Sequence, residues 1–191
     1  TLWPEHGFDK AWAEATKVAV GSYFWQALYQ QRPSAPEGEM LKRGWWKYYT
    51  AIPGDLQEVI QSWDMTFKDS DGSDFVVGGV WGRKGADKYL LDQVRGRMDF
   101  PTTLAAVKAL TAKWPEARAK LVEDKANGPA VIATLKREIP GLIPVEPRGS
   151  KMARVAAVSP EIEAGNVYLP DPSIAPWVGD FVEECAAFPN G

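Results

Sequence analysis

Apolar side chains recur at helical spacing between residues 9 and 31, at Trp12, Ala15 and Ala19 and again at Phe24, Ala27 and Leu28. Gly21-Ser22 interrupts the run, so the pattern predicts two short helices. The following stretch, Gln30-Gln31-Arg32-Pro33-Ser34-Ala35-Pro36-Glu37-Gly38, is built of turn formers and reads as a linker. Leu41 to Tyr49 is dense in aromatic and basic residues. It is either a stacking surface for nucleic acid or an aromatic strap packed on the next domain; the strap is preferred because apolar rings are most often buried.

From Val59 the period shortens to two. In Val59 to Phe67 the side chains Trp63, Met65 and Phe67 fall on one face and Ser62, Asp64 and Thr66 on the other. A turn at Lys68 to Ser73 leads to a second strand, Phe75 to Trp81. A turn at Arg83 to Asp87 leads to a third, Lys88 to Arg97, which makes an antiparallel meander. Pro101-Thr102-Thr103 opens a helix with Leu104, Val107, Leu110 and Trp114 on one side, ended by Pro115. A strand over Ala117 to Asp124 precedes a helix that starts at Asn127-Gly128-Pro129 and carries Val131, Ile132, Leu135 and Ile139; Pro140-Gly141 stops it. Leu142 to Val145 is a further strand, Lys151 to Val158 a helical stretch, and Trp177 to Ala187 a last helix. Hairpin-linked strands followed by alternating strands and helices make an α/β pattern with a mixed sheet, of which the ribonuclease H-like fold is one member.

Composition narrows the chemistry. The 191 residues are 45% hydrophobic and 25% charged, which is the make-up of an ordinary domain. No apolar run approaches the roughly 20 residues a bilayer needs, and Thr1-Leu2-Trp3-Pro4-Glu5 lacks the regions of a signal peptide, so membrane and secretory readings fall away. The chain has one Cys, Cys185, and one His, His6; it forms no internal disulfide, builds no cysteine/histidine zinc site and is a poor fit to a histidine-dependent hydrolase. Any metal chemistry therefore falls to carboxylates. The net charge of -3 argues weakly against a nucleic-acid partner but does not describe how charge is distributed. Opening on Thr and stopping at Phe188-Pro189-Asn190-Gly191, the chain reads as an excerpt.

Three groups of residues are candidates for function. Asp64 points off the apolar face of its strand, and a carboxylate in a central strand is costly unless it is paired or binds a cation. The competing reading is a strand-end Asp beside the Asp69-Ser70-Asp71-Gly72 turn. Glu123 and Asp124 end the later strand; alternation lets only one of them join Asp64, and polarity does not choose, since Glu123 shares its face with Leu121 and Asp124 with Val122. The helix start that follows offers N–H groups suited to an anion, or is a simple Asn-capped turn. Arg148, Lys151 and Arg154 form a basic cluster near a helix opening that suits a phosphate backbone or a solvated face. Asp69, Asp71 and Asp74 around Gly72 lack the Glu that a calcium loop requires at its twelfth position.

Six segments in order carry a resemblance: Tyr29-Gln30-Gln31-Arg32-Pro33; Ser62-Trp63-Asp64-Met65-Thr66-Phe67-Lys68 with Asp74 following; Val94-Arg95-Gly96-Arg97; Val122-Glu123-Asp124-Lys125-Ala126-Asn127-Gly128-Pro129-Ala130; Gly149-Ser150-Lys151-Met152-Ala153-Arg154; and Gly165-Asn166-Val167-Tyr168-Leu169-Pro170. Across nearly its whole length the chain resembles the C-terminal nuclease domain of the large terminase subunit of tailed double-stranded DNA bacteriophages. The resemblance implies a ribonuclease H-like fold and an endonuclease that cuts concatemeric viral DNA during packaging. It matches Asp64 and Glu123 to ligands of Mg2+ or Mn2+ in a two-metal site, with Asp124 as the alternative second ligand and Asp74 in a supporting metal role. It places Lys151 near the scissile phosphate and Arg154 on the DNA path. The chemical sense is that paired cations about 4 Å apart offset the charge of an anionic phosphodiester, and hard oxygen ligands suit Mg2+.

The resemblance further implies double-stranded DNA, a portal protein and a small terminase subunit as partners, an ATPase domain upstream in the same polypeptide, and a place in the cytoplasm of an infected or lysogenic bacterium. On that reading residues 1–50 are the tail of the ATPase domain and linker, and 51–191 the nuclease domain without its C-terminal end. Two departures stand against the family pattern. Its third acidic ligand follows Phe-Pro-Asn-Gly, where this sequence stops, with Glu183 and Glu184 as poor substitutes; and no Gly-x-x-x-x-Gly-Lys-Ser/Thr sequence is present. A noncatalytic DNA- or portal-docking module, with a binding surface around Arg95, Arg97 and Arg154, and a resolvase- or transposase-type nuclease are the competing expectations.

Overall fold

The computed structural model describes residues 3–31, 40–65, 75–125 and 128–189. In chain order these form α1 (Lys10–Phe24), β1 (Lys47–Tyr49), β2 (Glu58–Met65), β3 (Val76–Lys84), β4 (Asp87–Gly96) and α2 (Phe100–Lys113). There follow β5 (Ala119–Glu123), α3 (Gly128–Leu135), β6 (Leu142–Val145), α4 (Lys151–Glu163), β7 (Val167–Pro170) and α5 (Val178–Ala187). They divide into two compact units: Ala51–Arg148, and Thr1–Thr50 together with Gly149–Gly191.

The Ala51–Arg148 unit holds five strands. β2, β3 and β4 form the expected antiparallel meander, and β5 and then β6 join the other side of β2 in parallel. This is the mixed α/β sheet of a ribonuclease H-like fold. One face is the core: Trp63, Met65, Val76, Val80 and Val122 point into it, with Val107 and Leu110 of α2 and Val131 and Leu135 of α3 buried as well. Asp92 on β4 fastens the end of α2, accepting from the Trp114 indole at 2.7 Å and pairing with Lys113 at 2.6 Å. Asp99 caps the start of that helix through the Thr102 N–H, two residues ahead of the Pro101 that marks it in the sequence. α3 ends at Leu135, four residues short of its periodic pattern, although Ile139 stays buried in the turn beyond.

In the other unit the helical run breaks at Gly21, whose φ of 76° no helix accommodates. The Ser22 N–H then donates to the Glu163 carboxylate at 2.8 Å, which ties the break to the end of α4, and a π-helical turn, Trp25–Tyr29, follows. α4 runs past the expected Val158 to Glu163 in spite of Pro160. Proline has no N–H for the carbonyl of Ala156, and the Ser159 hydroxyl donates to that carbonyl instead at 3.2 Å. β1 and β7 pair in parallel, and the sequence pattern predicts neither as a strand. Trp46 beside β1 is buried edge-on against Phe181 of α5, so the aromatic stretch is a strap. Among the described residues no helix is long and apolar enough to cross a membrane.

Candidate active site

β2 and β5 bring two carboxylates together through register. Ser62 lies beside Leu121 and Trp63 beside Val122, so one further step sets Asp64 beside Glu123. In a parallel pair neighbours share a face, and burial follows the alternation: Gln61, Trp63 and Met65 are buried on β2, Lys120 and Val122 on β5, whereas Ser62 and Asp64 are exposed and Leu121 and Glu123 half-buried. Glu123 therefore accompanies Asp64. The Asp124 N–H continues the ladder to the Val145 carbonyl at 2.8 Å, and alternation turns its exposed side chain to the opposite face. Of the two acids, Glu123 is the one that shares the face of Asp64.

The end of β5 is held by a backbone contact. A Cβ on Gly128 would stand 2.0 Å from the Glu123 carbonyl oxygen, so only glycine lets α3 start directly against that residue. The Gly128 N–H bonds the Lys125 carbonyl at 3.1 Å, so this amide is engaged within the turn. Asn127, like Asp74 and the Asp69-Asp71 turn, lies outside the described residues.

The same face continues onto β3 and β4. Asp64 pairs with Val77 and Val77 with Arg95, which puts Arg95 two strands, about 10 Å, from Asp64. Arg95 and Arg97 are exposed, and both guanidinium groups lie over the Phe75 ring, at 3.7 and 5.4 Å from its centroid. Arg148 is exposed beyond β6. Lys151 and Arg154 belong to the other unit: Lys151 is exposed in the first position of α4, whose Ser150 cap accepts from the Ala153 N–H at 3.1 Å, and Arg154 is half-buried one turn on.

Other reactive groups are engaged elsewhere. Glu183 receives a two-pronged contact from Arg43, at 2.9 and 2.7 Å, which holds its carboxyl below the usual range. Burial pushes the Cys185 thiol up to about 12, so it stays protonated. Among the described residues no group of three His, Cys, Asp or Glu side chains is placed to hold a metal ion. The Asp64–Glu123 pair supplies two hard oxygen donors on one exposed face, a donor set that fits Mg2+ or Mn2+. A groove of about 480 Å³ lined by Leu56, Ile60, Pro115 and Arg118 opens at the other end of β2.

Two features escaped the sequence pattern. Lys120, beside Gln61 in the register, is buried on the core face, and desolvation lowers its pKa. Phe75 stands out only through the register, which sets it opposite Arg97.

Comparison with known proteins bears on the fold and the family. The large terminase of a thermophilic bacteriophage, solved in complex with ATP-gamma-S, matches with a TM-score of 0.70 at 10% identity, over 93% of this chain and 45% of that one. The chain thus spans less than half the length of that protein. The large terminase nuclease of the thermophilic phage G20c with bound magnesium matches with a TM-score of 0.57 at 15% identity, over 80% of this chain and 81% of that one. The nuclease domain of the bacteriophage SPP1 large terminase with bound Mn gives 0.50 at 14% identity, over 75% and 80%. These likenesses show the fold. No curated protein matches the chain. The family match covers residues 61–191, which takes in most of β2 and all of β5 with both carboxylates, and the chain belongs to the terminase RNaseH-like domain family.

Proposed function

We propose that the protein is the divalent-metal-dependent endonuclease domain of a phage terminase large subunit, cutting concatemeric viral DNA by two-metal phosphodiester hydrolysis. The observation that carries this reading is the β2–β5 register, which sets Asp64 and Glu123 side by side on one exposed face. Like charges in adjacent strands repel, so the pair is suited to a cation. The bound magnesium and manganese of the phage G20c and SPP1 relatives support Mg2+ or Mn2+ as its occupant.

Asp64 and Glu123 hold the cation and aim its charge along the open face. When bound, it offsets the negative charge of the phosphodiester and activates water for attack. Arg95, Arg97 and Arg148 attract the DNA backbone, with Lys151 near the scissile phosphate and Arg154 along the path. Asp74 has a supporting metal role in this scheme. The chain's single histidine, His6, is exposed in a short turn at Pro4–His6 and takes no part. The proposal extends to the partners: double-stranded DNA, an ATPase domain of the same polypeptide, the portal protein and the small terminase subunit, in the cytoplasm of an infected or lysogenic bacterium.

The test is nicking of supercoiled plasmid with Mn2+ or Mg2+. Asp64→Ala should abolish the cutting, and full activity in that variant overturns the assignment. The second reading, a noncatalytic DNA- or portal-docking module of the same fold, draws on the exposed Arg95 and Arg97 gathered over the Phe75 ring. It predicts DNA binding with no metal-stimulated cleavage.

A further inference from the structure

Phe75 is 38% exposed, next to the first residue of β3, and belongs by alternation to the face of Val77 and Asp64. The ring is more than half covered, and the groups found over its face are cationic rather than apolar. What it does carry is charge: Arg95 lies 3.7 Å above its centroid, and Arg97, its neighbour by register, lies 5.4 Å away. Two guanidinium groups brought to one ring repel each other, and the negative face of the ring offsets part of that cost. At 3.7 Å Arg95 is within stacking distance of the ring, a contact that restricts how its N–H edge can turn, and Arg97 at 5.4 Å is held by the same ring at cation–π range. The ring thereby gathers two planar cations on the face that carries the two carboxylates. Arg95 lies about 10 Å from Asp64, the axial rise of about three nucleotides of one strand.

We propose that Phe75 is a positioning residue that holds Arg95 and Arg97 as a two-pronged clamp on the sugar–phosphate backbone of DNA, about three nucleotides from the phosphate presented to Asp64 and Glu123. The distance from the cut rests on the nuclease reading; the clamp itself does not. It grips phosphate oxygens through planar N–H edges and therefore works without regard to sequence. Phe75 touches no DNA atom in this role and acts through the two arginines.

The experiment measures binding of a fluorescent DNA duplex by anisotropy in EDTA, with salt varied between about 50 and about 200 mM, so that cleavage and metal play no part. Arg95→Ala/Arg97→Ala should lower the slope of log K against log salt by about 1.8, which is two phosphate contacts at about 0.9 each. Phe75→Leu keeps both charges and most of the bulk; it should weaken binding about two- to five-fold, the range for an exposed cation–π contact, and Phe75→Tyr should restore it. Urea unfolding of each variant separates a binding loss from a folding loss. Wild-type affinity and slope in the double variant overturn the clamp. A loss in the double variant with none in Phe75→Leu overturns the role of Phe75. Asp64→Ala, run alongside, should bind DNA at least as well as wild type. Failure of the nuclease reading would appear as absent cleavage with the slope changes intact, and failure of the clamp as unchanged slopes with Asp64-dependent cleavage intact.

Discussion

The two faces of β2 and β5 use polar residues in opposite ways. On one face Asp64 and Glu123 stand beside each other, exposed and half-buried. On the other, three residues back along each strand, Gln61 and Lys120 are buried, with Trp63 and Val122 on the same face. The buried groups are answered in part from within: the Trp63 indole donates to the Gln61 side-chain oxygen at 3.0 Å and the Lys120 ammonium to the Pro140 carbonyl at 3.1 Å, while the Gln61 amide nitrogen has no partner among the described residues. No hydrogen bond or ion pair of comparable kind is seen for the carboxylates of Asp64 and Glu123 among the described residues. Burial therefore does not by itself separate the two kinds of polar residue; what sets Asp64 and Glu123 apart is that two like charges stand together on one face, an arrangement that costs stability unless a cation answers it.

The comparison breaks most visibly at Trp63. It is 2% exposed at the centre of the core face, one residue before Asp64. Trp63→Ala should cost about 3–5 kcal/mol of folding stability, the range for emptying a large aromatic site, and should also leave the Gln61 side chain without its hydrogen-bonding partner. Urea unfolding followed by circular dichroism measures it. A loss under about 1 kcal/mol would mean that this face is not the core of the unit.

A sharper cut separates Glu123 from Asp124, adjacent in sequence and opposite in face. Glu123→Gln should lower metal-dependent nicking at least about 100-fold, about 2.7 kcal/mol in barrier, while stability holds or rises slightly as the repulsion with Asp64 is relieved. Asp124→Asn should leave the rate within about three-fold, under about 1 kcal/mol on the same scale. The reverse pattern would assign the second ligand to Asp124 and show that the backbone twists at the end of β5.

What could be read in advance was what depends on local pattern. The face of Asp64 follows from alternation with Trp63 and Met65, and β6 falls at its expected bounds because Pro140-Gly141 marks its start. The choice of Glu123 over Asp124 was not legible, since each has one apolar neighbour two residues back and only pairing with β2 separates them. β1 was missed for a related reason: three residues show little periodicity, and their partner β7 lies far along the chain. α4 runs past its expected end at Val158 to Glu163, and the Ser159 hydroxyl that replaces the donor missing at Pro160 depends on a rotamer no sequence displays. The Phe75–Arg95–Arg97 cluster needed the β3–β4 register as well.

The smallest effect is expected at Lys120, and it tests whether the core face treats its charge as a burden. Desolvation lowers the Lys120 pKa below the ordinary 10.5, so between that lowered value and 10.5 the unfolded chain binds more protons than the folded one. Stability therefore gains from this group as pH rises through that window, and the burden is fully present below it. Lys120→Met keeps the length of the side chain, removes the charge, and gives up the hydrogen bond to Pro140. The gain and the loss nearly cancel, and the net change at pH 7 should stay within about 1 kcal/mol. The pH dependence should not cancel: urea unfolding at neutral and alkaline pH should show the wild type gaining on the variant as pH rises. A constant difference between the two proteins would mean that Lys120 keeps its ordinary proton affinity, and that the contrast between the faces lies in the carboxylates alone.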